Sequence, residues 1–557
     1  MATGSFSSLP KRLRMVENFC CTSCLEQNLE ESADIYCETC LRFYCKKCVI
    51  HHGQLFTKHK TCGRGDIQKW PVLKAEEDFL RMCEFHEDKT LAQFCHDHSQ
   101  LCCSDCVLTI HSQCSKVTPI LELTNTQHTD LQGLSVELET VLGEVKSLHI
   151  SQELSVQSLQ GTYKEHKAYI KKQMLVHINT TIDECVNSSV STSDKNEQYI
   201  KEEMCRTVLS ILNEFDNITV KELNEMKDEV ISIKGSVTSL IHKCAGLHND
   251  LSQFHELVQK IGDNKELCLI TSIKCKPIIQ QAWTLLGKSA KVFNVEGNSE
   301  HNVRIPSDLC YMTGICVLPD GQILIADYNK KKITLLDQLF KVVSHCGMTA
   351  RPQDICLITP SKVAMAVNDL KTHEVQFITV TKSQLIPGRK FQLQHRCYGF
   401  AHHQGDLFIC SGTVLFKYSL SGKQVCRLYV DKSDDCTVYR CAVSPTGDKL
   451  YITNYSQDKL LTLARDGTLL ATFTDPALDS PEGVHVTPAG QVLVCGCLSH
   501  TILQVDWEGK RKLATLATEK DGVKAPVSVC YSSTTSSIIV GMEGLVESDF
   551  ILVFRVE

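Results

Sequence analysis

Between residues 226 and 261 the apolar side chains recur in alternating steps of four and three: Met226, Val230, Ile233, Val237, Leu240, Cys244, Leu247, Leu251, Phe254, Val258 and Ile261. This spacing draws one apolar stripe along a helix, and its period near 3.5 asks for a partner helix. A shorter run, Leu131, Leu134, Leu138, Val141, Val145 and Leu148, has the same character. Residues 121–287 hold a single proline, Pro277, few glycines and much Leu, Ile, Val, Glu and Lys. The pattern predicts a long α-helical coiled coil over 121–287. A helix over 198–261 would be about 95 Å long at 1.5 Å per residue. The polar run at 187–196 predicts a bend or stutter, and Gly262-Asp263-Asn264 a stop after which a shorter helix folds back. An intramolecular helical bundle is the competing reading.

From about residue 288 the texture changes to short apolar runs separated by turn signals, repeating roughly every 40 residues. The clearest copies are 312–338, 438–473 and 480–516, with turns such as Pro319-Asp320-Gly321, Pro445-Thr446-Gly447, Asp466-Gly467 and Glu508-Gly509. Weaker copies begin near Arg351, Cys397 and Ala525, and strand material at 290–305 could complete the last copy and close a ring. The segment 288–557 therefore predicts an all-β six-bladed propeller. In the first copy, Gly314, Asp320-Gly321, Ala326-Asp327 and Asn329 resemble an NHL repeat; later copies keep the turns and lose much of the Asp/Asn signature. A β-sandwich is the alternative that this repeat argues against.

Composition changes the picture most at the other end. The chain has 557 residues, enough for several domains, and a net charge of −7, which points to neither nucleic acid nor an anionic membrane. It holds no apolar run of membrane-spanning length. The opening MATGSFSSLPKRLRM has no apolar core of a secretory signal. These features predict a cytoplasmic protein, with the nucleus as the alternative, in which thiols stay reduced. Its 31 cysteines then need another role, and fourteen of them lie before residue 120 together with seven histidines.

Their spacing supplies that role. Cys21/Cys24, Cys37/Cys40 and Cys45/Cys48 are three C-x2-C pairs, followed by His52 and His59. Paired thiolates on a tight turn suit zinc, which takes four ligands. The short link between the second and third pairs favours interleaving. One ion would then sit on Cys21, Cys24, Cys45 and Cys48, and another on Cys37, Cys40, His52 and His59. His51 competes with His52, and Cys20 with Cys21. A second set follows with the same step: Cys83/His86, Cys95/His98, Cys103/Cys106 and His111/Cys114. Interleaving gives Cys83, His86, Cys103 and Cys106 for one ion, and Cys95, His98, His111 and Cys114 for the other, with His96 and Cys102 as bystanders. Four protein ligands per ion leave no place for a reacting water, so four structural zinc ions are expected. Modules this small would draw much of their folding free energy from metal.

The order and spacing of these sixteen ligands resemble the B-box zinc fingers of the tripartite-motif family, type 1 over 15–70 and type 2 over 78–120. The type 2 box often carries Asp at the position of His98 and His at that of Cys114, and both replacements can ligate zinc. The resemblance implies an elongated antiparallel homodimer through the coiled coil. Family members usually carry a RING domain ahead of the B-boxes, which recruits ubiquitin-conjugating enzyme. Residues 1–19 contain no cysteine or histidine, and the first module does not follow the RING pattern, so ubiquitin ligase activity lacks a basis here. No Ser/His/Asp set or phosphate loop with supporting context appears, and His402-His403 are expected on the surface or in a loop. The expected function is a dimeric scaffold: the propeller captures a protein target while B-boxes and coiled coil drive assembly. An E3 ubiquitin ligase, or a partner of one, is the first alternative. An RNA-binding propeller is the second, with Lys330-Lys331-Lys332 and Lys510-Arg511-Lys512 as its basic clusters.

Overall fold

A computed structural model describes residues 19–65, 70, 74–126, 129–189, 197–262, 264–303, 310–544 and 550–557. The opening segment, Asp263 and the part of the polar run from 190 to 196 lie outside the described residues. Contacts gather the chain into two compact units, residues 1–149 with 242–283 and residues 150–241 with 284–557. The long helical region is thus shared between units rather than forming one of its own.

The first unit contains two small modules of the same topology. In the first, strand Ile35–Cys37 lies between Arg42–Tyr44 and Thr61–Gly63, and helix Lys46–Leu55 follows the hairpin. In the second, strand Gln93–Cys95 lies between Gln100–Cys102 and Val117–Pro119, with helix Ser104–Thr109 in the equivalent place. The first module has a compact aromatic core of Phe19, Tyr36 and Trp70, with Phe43 against it. Helix Lys74–Arg81 joins the modules and meets the helical part of the unit through ion pairs. Lys260 Nζ lies 3.2 Å from Glu76 Oε1, and Arg81 Nη1 2.9 Å from Glu266 Oε1. Lys274 Nζ donates to the Met82 carbonyl at 3.1 Å.

Three further helices follow: Leu131–Ser189, Glu197–Lys260 and Lys265–Leu285. Gly262 takes a left-handed φ of 59° after the second, and Asn264 Oδ1 accepts from the Leu267 N–H at 3.2 Å to start the third. Of the apolar stripe on the second helix, every position but Leu240 is buried. Leu138, Val141, Val145 and Leu148 are buried on the first. Among the described residues, no helix is long and apolar enough to cross a membrane.

The second unit is built on six four-stranded antiparallel sheets, counted among the described residues. Their first strands are Met312–Val317, Arg351–Thr359, Gly399–His403, Arg440–Val443, Pro481–Val486 and Pro526–Ser532. Each first strand neighbours the next, and the sixth neighbours the first, so the ring closes as a propeller. The last sheet takes its outer strand, Val295–Asn302, from the beginning of the domain, paired antiparallel with Phe550–Val556. That pairing ties the two ends of the ring by main-chain hydrogen bonds. Each junction between neighbouring blades holds its own apolar core. The turns read from sequence carry their glycines at positive φ, 85° at Gly321 and 74° at Gly447.

Blades meet closely at the axis. A Cβ on Gly399 would lie 2.5 Å from Arg440 Cα, and one on Gly314 3.0 Å from the Ile355 nitrogen. These neighbours are backbone and cannot swing aside. Gly399→Ala should therefore destabilise the propeller by about 3 kcal/mol, measured by thermal unfolding. Gly297→Ala, where nothing lies within 4 Å, is the matched control and should cost far less.

Candidate metal centres

The local fold explains how distant ligands converge. In each module a turn before the first strand supplies one pair, and the hairpin tip supplies the second. The helix begins immediately after Cys45 in the first module and Cys103 in the second, so its first turn presents Cys48 or Cys106 toward the first pair. Cys103 Sγ also accepts from the Cys106 N–H at 3.4 Å, a sulfur acting as the helix cap. Ligands after that first turn face the hairpin tip: His52 within the first helix, His111 beyond the end of the second.

Four tetrads result: Cys21, Cys24, Cys45 and Cys48; Cys37, Cys40, His52 and His59; Cys83, His86, Cys103 and Cys106; Cys95, His98, His111 and Cys114. In each, all ligand atoms lie within 4.8 Å of one another. These are the groupings that interleaved spacing predicts. His51 is exposed and stands outside the tetrads, as does Cys20. Of the two bystanders, His96 pairs with Thr118 Oγ1 at 3.0 Å, and Cys102 Sγ faces the Gln100 carbonyl at 3.4 Å.

The distances test the donor sets against zinc. A tetrahedral ion with Zn–S near 2.3 Å needs sulfur atoms about 3.8 Å apart, and mixed S–N edges of about 3.5 Å. Cys24 Sγ lies 3.8 Å from Cys45 Sγ and 3.6 Å from Cys48 Sγ. Cys106 Sγ lies 3.4 Å from Cys83 Sγ and 3.7 Å from Cys103 Sγ. Cys40 Sγ is 3.2 Å from His52 Nε2 and 3.1 Å from His59 Nδ1. His98 Nδ1 is 3.4 Å from Cys95 Sγ and 3.3 Å from Cys114 Sγ. The sulfurs are too far apart for disulfides and spaced as ligands of a common ion. All four tetrads could hold zinc.

Electrostatics point the same way. The Cys48 backbone N–H lowers the Cys45 thiol to about 7, so thiolate is accessible at neutral pH. Burial, together with the neighbouring sulfurs of Cys83 and Cys103, pushes Cys106 up to about 12. Clustered thiols resist joint ionisation until a cation is supplied. Burial lowers His52 and His111 below the ordinary imidazole value, which keeps both rings in the neutral form that binds metal.

A second polar constellation lies at the propeller axis, and nothing local in the sequence announces it. Arg440 is buried, with Nη1 2.7 Å from the Tyr398 carbonyl and 3.8 Å from Asp354 Oδ2. Tyr311 donates to Glu482 at 3.1 Å. Burial raises Asp354 to about 6 and Glu482 to about 7. Around this centre stand paired tyrosines, Tyr311 with Tyr328 at 5.6 Å, Tyr398 with Tyr439 at 5.5 Å, and Tyr439 with Tyr455 at 5.4 Å between ring centroids. The two expected surface histidines instead lie on an inner strand. His402 Nδ1 meets the Leu357 carbonyl at 3.0 Å, its Nε2 accepts from the Gly405 N–H at 2.9 Å, and burial lowers both His402 and His403 to about 4. The basic clusters are spent locally. Lys331 pairs with Asp369 at 3.4 Å, Arg511 with Asp506 at 3.1 Å and Lys512 with Asp475 at 2.8 Å.

No known family profile matches the chain. Several solved structures align with just under half of the chain. A streptogramin B lyase aligns at 12% identity over 48% of this chain and 98% of its own, with a TM-score of 0.36. Virginiamycin B lyase from Staphylococcus aureus aligns at 14% identity over 47% and 99%, with a TM-score of 0.35. The β-propeller domain of Swd1 from Myceliophteria thermophila aligns at 13% over 44% and 83%, with a TM-score of 0.34.

Metal analysis of the full chain should give four zinc ions. Cys21→Ser and His52→Gln should each lower the count by about one, whereas Cys20→Ser and His51→Gln should leave it at four. Protons compete with metal for thiolate, so zinc and the folding it supports should be retained near neutral pH and lost as pH falls. At the axis, Glu482 has a raised folded value, so its contribution to stability is present at low pH and is lost as pH rises toward about 7. Glu482→Gln should flatten the pH dependence of propeller unfolding over that window.

Proposed function

We propose that this protein is a zinc-stabilised assembly scaffold of tripartite-motif type, in which the propeller captures a protein target. The observation that carries this reading is the set of four complete tetrads. Four protein donors around each ion leave no position for substrate or water, so the metal serves shape rather than chemistry. The sixteen tetrad residues are its proposed zinc ligands, in modules of B-box type 1 and type 2. The tyrosines around the propeller axis suit a target surface, because half-buried tyrosine offers large contact area at low entropic cost. The 3.5-residue period of the helical stripe is the sequence feature behind the proposed antiparallel coiled-coil homodimer, which would multiply affinity for repeated targets. Local pairing of the basic clusters favours a protein target over RNA.

A ubiquitin ligase is the second reading, favoured by one feature: each module interleaves two ion sites along a short chain, as RING domains do. Two measurements separate these readings. Light scattering of the full chain over a rising concentration series is expected to reach twice the chain mass, and a chain that stays monomeric at every concentration, in wild type and in variants that free the stripe, would overturn the dimer. Autoubiquitination with a panel of conjugating enzymes is expected to give no product. Product that disappears in Cys45→Ala would move the assignment to the ligase.

A further inference from the structure

Within the second unit, the helices and the propeller share a core. Leu159 from the first long helix and Met226, Val230, Ile233 and Val237 from the second are buried in one apolar cluster with Ala364, Phe377 and Leu407 of the second and third blades. Leu159 also crosses the hairpin tip of the third blade, where a Cβ on Gly405 would lie 2.5 Å from Leu159 Cδ1. Gln404, at the same tip, donates to Gln152.

An ionic cluster is set into this apolar contact. Glu229 has a side chain only 1% exposed, and each of its oxygens meets a cation of the second blade. Lys362 Nζ lies 2.9 Å from Oε1, and Arg389 Nη2 lies 2.7 Å from Oε2. One helical turn earlier, Glu225 Oε2 accepts from the Arg389 backbone N–H at 3.3 Å and lies 3.8 Å from Lys362 Nζ. Gly388 leaves room for that carboxylate, since a Cβ there would approach it to 3.2 Å. The Arg389 guanidinium is held from its other side by the Phe377 ring, 3.7 Å from the ring centroid. Two carboxylates and two cations make the cluster neutral, and each buried charge has its counter-charge in contact. Removing one member would strand the others without solvent.

The same helical residues belong to the stripe that the proposed dimer uses. We infer that residues 152–163 and 225–241 form a latch on the hairpin-tip side of the second and third blades, locked by Glu229, which withholds the 226–237 stretch of the stripe from a second copy of the chain. A helix from another molecule can occupy that stretch only after the latch opens. Self-association and propeller docking are then alternatives for one surface. This rests on the coiled-coil reading for its trans partner, while the latch itself rests on the contacts above.

Hydrogen exchange and light scattering on the full chain test it together. Glu229→Gln leaves two buried cations with one carboxylate between them. It should speed exchange by at least ~100-fold, both in 222–237 and in the second-blade strands 362–368 and 385–392. Arg389→Met, made on the other side, should give the same two-sided footprint. Glu222→Gln, exposed on the same helix, should change neither. The opened variants should also associate at concentrations roughly ten-fold lower than wild type. Faster exchange confined to the mutated element would overturn the latch. Two-sided loosening with no gain in association would overturn the competition. A wild type and variants that all stay monomeric would count against the dimer reading, which the exchange footprint distinguishes from failure of the latch.

Discussion

One apolar stripe organises this protein. It runs along the second long helix from Met226 to Ile261, and its two halves are buried in different company. Met226 to Val237 lie in the core shared with the propeller, whereas Cys244 to Ile261 belong to the unit that holds the Cys/His tetrads. An isolated helix of this length in water would gain little from propensity alone and needs its apolar face covered. Covering a Val, Leu or Ile is worth roughly 1.5–3 kcal/mol each, so the stripe commits the helix to partners along its whole length. Each compact unit recruits part of the helical region because neither the zinc modules nor the propeller can leave that face wet.

The two cysteine- and histidine-rich modules face the opposite problem. Their strands are three residues long, and the aromatic core of the first rests on a handful of side chains. Apolar burial on that scale does not balance the conformational entropy of the loops. Chelation by the four tetrads, as proposed, would close those loops instead. The interleaving of tetrads would make two ions bound to one module interdependent, because the hairpin that positions the second site is flanked by both pairs of the first.

Much of this was legible in the sequence, and the reason is distance along the chain. Every tetrad closes within about thirty residues, so x2-spaced Cys/His pairs carry most of the information, with His52 and His59 the pair that lacks that spacing. The choice of His52 over His51 needed the helix: neighbouring residues point about 100° apart, and only His52 faces the hairpin tip. The six blades were legible because each repeats its own turns, with Gly321 and Gly447 at positive φ where the repeat places them. Illegible were the contacts made by ring closure. Asp354, Arg440 and Glu482 come from three blades and meet only because the ring brings their first strands to one axis. His402 and His403 look like a polar surface pair, yet the alternation of an inner strand carries both into the fold, where main-chain groups satisfy His402. The division of the helices between two units was hidden for the same reason: the stripe states that it must be covered, and not by what.

Glu229 shows how the covering partner is specified. A stripe of period 3.5 is nearly unchanged by a slide of one heptad, so apolar contact alone would hold the helix on the blades in more than one position. A slide of that kind keeps the apolar residues in register and carries Glu229 away from Lys362 and Arg389. The carboxylate then sits buried with no counter-charge, at a penalty that the apolar gain of any single contact does not match. An apolar residue at 229 could be as stable and would be indifferent to register. The ion pairs therefore contribute less to how tightly the helix binds the propeller than to where it binds, and that position decides which residues of the stripe remain available to another molecule.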